Sequence, residues 1–186
     1  MVDNPKNEEE TRRKLIDKQL FRVGWKRSMW EEEVNTVKSK FLEKRYVPKP
    51  KNPRDIEKGV DHFADYILLS SDRSPLAIVE AKAYSKNQKM GSSQAITYRD
   101  DIEKQIGYRL PIFLTNGRKW EYIDFLNNKR EVFGPFSRED FERRSYLFFN
   151  RRDLQKIEIN KIINRNKSKE ILTRLKIFKT ANAAED

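Results

Sequence analysis

The sequence contains no cysteine and a single histidine among its 186 residues. Without cysteine there is no disulfide framework, no thiol nucleophile and no cysteine-bound zinc. His62 alone cannot furnish a paired-histidine phosphodiesterase site or an HExxH zinc site; beside Phe63 it reads as a turn or rim residue. Long hydrophobic runs are missing as well, and the apolar stretches present are far too short to cross a bilayer. No GxxxxGK[ST] segment occurs, so the chain carries no evident nucleotide-driven motor, and no internal repeat is visible. The polar, acidic start MVDNPKNEEE is unlike a secretory signal. These absences make a soluble cytoplasmic protein, without membrane association, the default expectation.

What is abundant is charge. Lys and Arg number 40 against 29 Asp and Glu, a formal net charge of +11. Such a balance suits either a well-solvated surface or a polyanionic partner, nucleic acid or an acidic membrane face. Hydrophobic residues still reach 37%, and 11 Phe, 7 Tyr and 3 Trp supply large areas for a core. The length fits one domain spanning 1–186.

Periodicity orders the chain into alternating helices and strands. Leu15, Ile16, Leu20 and Val23 predict a helix from Glu8 to about Val23, ended by Gly24. Its first-turn acids Glu8, Glu9 and Glu10 suit the positive end of the helix dipole. On a helical projection Glu8, Arg12, Leu15 and Gln19 fall near one line. Glu8 can therefore look inward, although N-terminal charge capping accounts for all three acids. Glu31–Glu43 reads as a weaker helical or irregular segment, and Pro48-Lys49-Pro50-Lys51-Asn52-Pro53 as a basic surface connector. Strands are expected over 63–69 and 75–82, with a lysine-bearing loop from Tyr84 to Met90. A helix from Ser92 or Ser93 to Gln105 sets Gln94 and Tyr98 on one face. Further strands are expected over 111–115 and 120–125. A helix over 138–149 follows an N-cap at Ser137, and a basic helical segment covers 154–178. The fold class expected is α/β, a central mixed sheet flanked by helices.

The chemistry concentrates in Phe63–Lys82, FADYILLSSDRSPLAIVEAK. On a strand Glu80 and Lys82 share a face and Ala81 takes the other. A carboxylate and an ammonium ending an apolar strand are costly to bury without purpose. With Asp65 on the neighbouring strand they make a candidate site for a divalent metal and a phosphodiester. Magnesium prefers carboxylate, carbonyl and water oxygens; Asp65, Glu80 and the Ala81 carbonyl would supply them. Lys82 would hold the attacking water or stabilise the developing oxyanion. Taken alone, the same residues also fit an exposed edge-strand ion pair worth at most about 1 kcal/mol.

The order Glu8…Thr11-Arg12…Leu15-Ile16-Asp17…Leu20…Gly24-Trp25, Ala64-Asp65-Tyr66, Pro75-Leu76-Ala77-Ile78-Val79-Glu80-Ala81-Lys82, Gln94-Ala95…Tyr98 and Thr115-Asn116-Gly117 resembles a known family. It is similar to the N-terminal nuclease domain of the type I restriction enzyme R subunit. That domain belongs to the PD-(D/E)xK superfamily, with a RecB-like QxxxY motif. The resemblance covers roughly 8–150; Ala64 stands in the ADY form of the motif, and 151–186 carries no motif to match.

The resemblance implies a restriction-endonuclease-like fold and a metal-dependent DNA endonuclease working within a type I restriction system. It implies Asp65, Glu80 and Lys82 as catalytic residues and Glu8, Asp65 and Glu80 as ligands of Mg²⁺, with Mn²⁺ a substitute. Gln94 and Tyr98 would support the site or meet the DNA backbone. Double-stranded DNA is the implied partner, together with a helicase or translocase motor and specificity and methylation subunits. The alternative is a catalytically silent DNA-binding or docking module with the same fold.

Overall fold

Side chains on a strand alternate between its two faces, and in 63–69 and 75–81 every position but Asp65 and Glu80 is apolar, so both faces must be covered. The computed structural model describes residues 4–87 and 91–145. The chain groups into two compact units, Met1–Arg143 and Arg144–Asp186. The sheet belongs to the first. The basic helical segment expected over 154–178 lies outside the described residues.

Six strands stand side by side in chain order: β1 (Trp30–Asn35), β2 (Phe63–Leu69), β3 (Pro75–Ala81), β4 (Ile112–Thr115), β5 (Trp120–Ile123) and β6 (Lys129–Val132). Neighbours are antiparallel except β3 and β4, which run parallel. A parallel neighbour requires a crossover; here it contains a helix, Ser92–Ile106. On one face Tyr66, Leu68, Val79, Phe113 and Trp120 meet Ile16, Leu20, Trp25 and Phe141. On the other, Ile67, Ile78, Ile112 and Leu114 meet Ala95 and Ile102 of the crossover helix. The expected α/β sheet flanked by helices is present. The Phe113 ring lies 5.5 Å from Trp120, 5.2 Å from Phe136 and 5.4 Å from Phe141, centroid to centroid. Among the described residues no helix is long and apolar enough to cross a membrane.

The N-terminal helix is continuous but not uniform. It runs as α1 (Glu8–Thr11), a π-helical stretch Arg12–Ile16, and α2 (Asp17–Arg22), so Ser92–Ile106 is α3. Asn7 caps it, its Oδ1 accepting from the Glu10 N–H at 2.8 Å, and Gly24 leaves it at φ +90. The expected extent is therefore right to within a residue, while the π stretch was not foreseen. Ser137 also caps as expected, accepting from the Asp140 N–H at 3.1 Å, and a helix opens at 138.

Two elements differ from expectation. Glu31–Glu43 is neither helical nor wholly irregular, because it begins inside β1. Trp30 and Val34 are buried four residues apart, a helical spacing, and three acids in a row hide the strand. β1 pairs with β2 on one side, while the proline-rich connector lies along its other edge through the Val34–Pro48 bridge. β6 was not expected either. Its sequence KREV is polar because it is an outer strand, mostly exposed, and charge there discourages further strand pairing. β5 stops at Ile123, short of 125, because Asp124 Oδ1 accepts the Leu126 and Asn128 N–H groups and turns the chain.

Candidate active site

The antiparallel register of β2 and β3 runs to the pair Tyr66–Val79. One residue further, it sets Asp65 against Glu80. The next backbone donor of β3, the Ala81 N–H, gives its hydrogen bond to Asp65 Oδ2 at 2.7 Å. Asp65 is thus built into the strand edge, one oxygen fixed by the backbone. Its Oδ1 lies 3.5 Å from Arg12 Nη1. The other arm of that guanidinium, Nη2, donates to Glu33 Oε1 at 3.0 Å.

Glu80 is 3% exposed. Lys82 Nζ donates to its Oε1 at 2.6 Å, consistent with the shared face the alternation predicts. Glu80 Oε2 is buried without a hydrogen-bond partner. Asp65, Glu80 and Lys82 therefore come together at the ends of β2 and β3.

Their electrostatics are those of two acids confined in one dry place. Burial pushes Asp65 up to about 6, against the pull of the Ala81 N–H and Arg12. Burial, reinforced by Asp65, pushes Glu80 up to about 8, with Lys82 opposing. Burial disfavours the Lys82 ammonium, but the Glu80 carboxylate outweighs it and the net shift is upward. An acid raised in the folded state holds a proton that the unfolded chain has already lost. Folding stability must then fall as pH rises between the unfolded and folded values. For Glu80 that window runs from about 4.3, the ordinary glutamate value, to about 8. Denaturant melts of metal-free protein should lose stability across it, by at most about 1.4 kcal/mol per pH unit for one proton. Glu80→Gln should flatten the curve; an unchanged slope would show that Glu80 ionises normally.

The remaining expected residues are placed less centrally. Glu8 opens α1, half-buried, and its charge helps raise both Asp65 and Glu80. Among the described residues, however, no group of three or more carboxylate or imidazole side chains is assembled as a cation cage. Glu8 stands outside the Asp65–Glu80 pair. Tyr98 on α3 is half-buried, and burial, then Glu80, Asp65 and Glu8, push its phenol upward, so it stays neutral beside the acids. Gln94, one turn earlier, is exposed. His62 is more firmly held than a rim residue: its Nδ1 is 2.6 Å from Asp101 Oδ2 and its ring 6.1 Å from Tyr98.

Sequence reasoning did not single out Gly91, although it shapes the site. A Cβ there would stand 2.5 Å from Glu80 Cγ and 3.0 Å from Lys82 Cε. The only signal was a glycine just before a predicted helix start. Arg12 as the partner of Asp65, and Glu33 as the partner of Arg12, were missed, because the π stretch and the β1 irregularity that aim them have no local signature. Other residues quoted for the family resemblance act as braces. Thr11 Oγ1 accepts the Tyr84 N–H at 3.0 Å, tying the chain beyond Lys82 to α1. Asn116 Nδ2 donates to the Lys86 carbonyl at 2.7 Å. Gly117, at φ +79, sits against Leu15 and Thr11, whose Cδ1 and Cγ2 a Cβ would meet at 2.8 and 3.2 Å.

No protein-family profile matches the sequence, and no curated protein does. Among solved structures, the fold is similar to a fragment assigned to the HsdR subunit of a type I restriction enzyme from Vibrio vulnificus YJ016. The TM-score is 0.54 and the identity 21%, over 76% of this chain and 26% of that one. This chain thus spans about a quarter of that chain's length. The likeness is one of fold, and the expected restriction-endonuclease-like α/β architecture agrees with it.

Proposed function

We propose that the protein is a metal-dependent endonuclease that hydrolyses DNA phosphodiester bonds as the nuclease part of a type I restriction system. The observation that carries this reading is the Asp65–Glu80–Lys82 cluster with its buried, unpartnered Glu80 Oε2. A buried carboxylate oxygen lacking a donor, beside a second buried acid, is costly unless a cation completes the site. The donor set is all oxygen, which suits Mg²⁺, with Mn²⁺ a substitute. Asp65, Glu80 and the Ala81 carbonyl would hold it, with Glu8 adding negative charge from α1. When bound, the cation supplies neutralising charge at the phosphoryl oxygens and lowers the pKa of water.

The chain's own residues do the rest. The Ala81 N–H holds Asp65 in one orientation. Lys82, kept protonated by Glu80, steadies the attacking water and balances the negative charge that builds in the transition state. The water gives a proton to solvent as its oxygen bonds to phosphorus, the bridging P–O bond breaks, and the departing alkoxide takes a proton from solvent. Tyr98 and Gln94 would support the site or meet the DNA backbone. The +11 net charge supports duplex binding, because lysine and arginine contacts to phosphates dominate DNA affinity. The partners proposed are double-stranded DNA, a helicase or translocase motor, and specificity and methylation subunits.

One observation favours the alternative of a catalytically silent DNA-binding or docking module: Arg12 and Lys82 already give both acids a cationic partner. Plasmid nicking separates the two readings. Mg²⁺-dependent conversion of supercoiled to open-circle DNA by the purified chain, or by the chain with its motor and specificity partners, is expected. DNA binding without any cleavage in either setting would leave the docking module.

A further inference from the structure

Two local departures from regular backbone converge on Arg12. The π-helical stretch of the N-terminal helix begins at Arg12 itself, and π turns inside helices gather at functional sites. Across from it, Glu33 adopts φ +49, a left-handed conformation that a glutamate takes only when its surroundings impose it. β1 and β2 pair at Glu32–Tyr66 and again at Val34–Ala64, and the pair between them, Glu33 with Asp65, is absent. The Glu33 carbonyl instead accepts the Lys49 N–H at 2.8 Å, so the connector holds the kink.

The result is one guanidinium shared by two carboxylates. Arg12 reaches Glu33 Oε1 at 3.0 Å and Asp65 Oδ1 at the longer 3.5 Å, with its side chain 15% exposed. Asp65 does not need it for orientation, because the Ala81 N–H already fixes the other oxygen. Nor is the pair simply structural packing, since Glu33 also has Lys49 Nζ 3.7 Å from the same oxygen and could be satisfied without Arg12. Near Asp65 and Glu80 stand Arg12 and Lys82, so a divalent cation added there would leave a surplus of positive charge. Glu33 is the acid to which that surplus can be passed.

We propose that Arg12 is the displaceable counter-ion of the Asp65–Glu80 site and that Glu33 is its second seat. The guanidinium neutralises Asp65 when no divalent cation is bound and rests wholly on Glu33 when one is. This rests on the reading of Asp65 and Glu80 as a cation centre, and makes Arg12 and Glu33 positioning residues for it. Partners of metal-ligating carboxylates change metal affinity by roughly 10–100-fold when altered.

Calorimetric titration of Mn²⁺ into the full chain tests the proposal, with thermal melts to verify folding. Glu33→Gln confines Arg12 to Asp65 and is expected to weaken Mn²⁺ binding by about tenfold. Arg12→Gln removes the competitor and is expected to tighten it. In the double variant the Glu33 effect should vanish, leaving the affinity of Arg12→Gln alone. If Arg12→Gln does not fold, Arg12→Met removes the charge while keeping an apolar stem, and Glu33→Gln on that background should likewise have little effect. An unchanged affinity in Glu33→Gln, or an equal loss with and without Arg12, overturns the proposal while the cation centre stands. Wild-type protein that takes up no Mn²⁺ overturns both.

Discussion

Lys82→Ala is expected to lower Mg²⁺-dependent nicking by at least about 10²–10³-fold, the scale seen when one preorganised charge-stabilising donor is removed. Several observations bear on the size of that effect. Lys82 is the cation that touches Glu80, at 2.6 Å, and its side chain is only 14% exposed. Glu80 holds it protonated, so it brings a full charge to the site over any ordinary working pH. Its removal would strip Glu80 Oε1 of its donor as well, adding to the unpartnered Oε2. A buried acceptor left bare costs roughly 1–3 kcal/mol, so a modest drop in stability should accompany the lost activity. DNA binding should change by no more than a few fold, since one lysine is a small part of a net charge of +11. Nicking assays alongside filter binding separate the two quantities. Equal nicking by variant and wild type would remove Lys82 from the chemistry.

Gly91→Ala should be nearly as damaging through a different route. Gly91 has φ −86 and ψ −2, which alanine adopts without strain, so backbone conformation is not at issue. The added methyl is the whole perturbation. It would stand 2.5 Å from Glu80 Cγ, closer than real Cβ atoms come to a neighbour, and at a tight 3.0 Å from Lys82 Cε. Glu80 and Lys82 must shift to admit it, and a displacement near 1 Å at a catalytic group costs on the order of 10²-fold in rate. The melting temperature should move little, because two side chains at a strand end can give way more readily than the sheet. Steady-state nicking rates and thermal melts read the two effects apart. A Gly91→Ala protein that nicks at the wild-type rate would mean that the Glu80–Lys82 geometry is not critical.

Local chemistry made much of this legible in the sequence. The ExK spacing put Glu80 and Lys82 on one face because a strand allows nothing else, and Asp65 followed from the turn between two apolar strands. The α3 helix and both ends of the N-terminal helix were visible through apolar spacing, the acidic first turn Glu8–Glu10 and Gly24. β1 was not. Its Trp30 and Val34 mimic a helical repeat, and it is a strand because β2 offers it a partner, a non-local fact. β6 hid for the opposite reason, its polar residues being those an exposed edge requires.

The site itself was legible in its acids and lysine but not in what surrounds them. Arg12 faces Asp65 through a π stretch that no residue type announces. Glu33 is turned by a connector more than a dozen residues away in sequence. Gly91 matters through contact with Glu80 and Lys82 rather than through conformation. Glu8, aligned with the site by helical projection, contributes charge to it while remaining outside the carboxylate pair.

The central claim is that Asp65 and Glu80 share a divalent cation. Anomalous diffraction from crystals of the protein soaked in Mn²⁺ tests it most directly. The account predicts a peak within coordination distance of oxygens of both Asp65 and Glu80, with the Lys82 ammonium beside it. A well-ordered site with no peak between the two carboxylates, or with Asp65 turned away from Glu80, would contradict it.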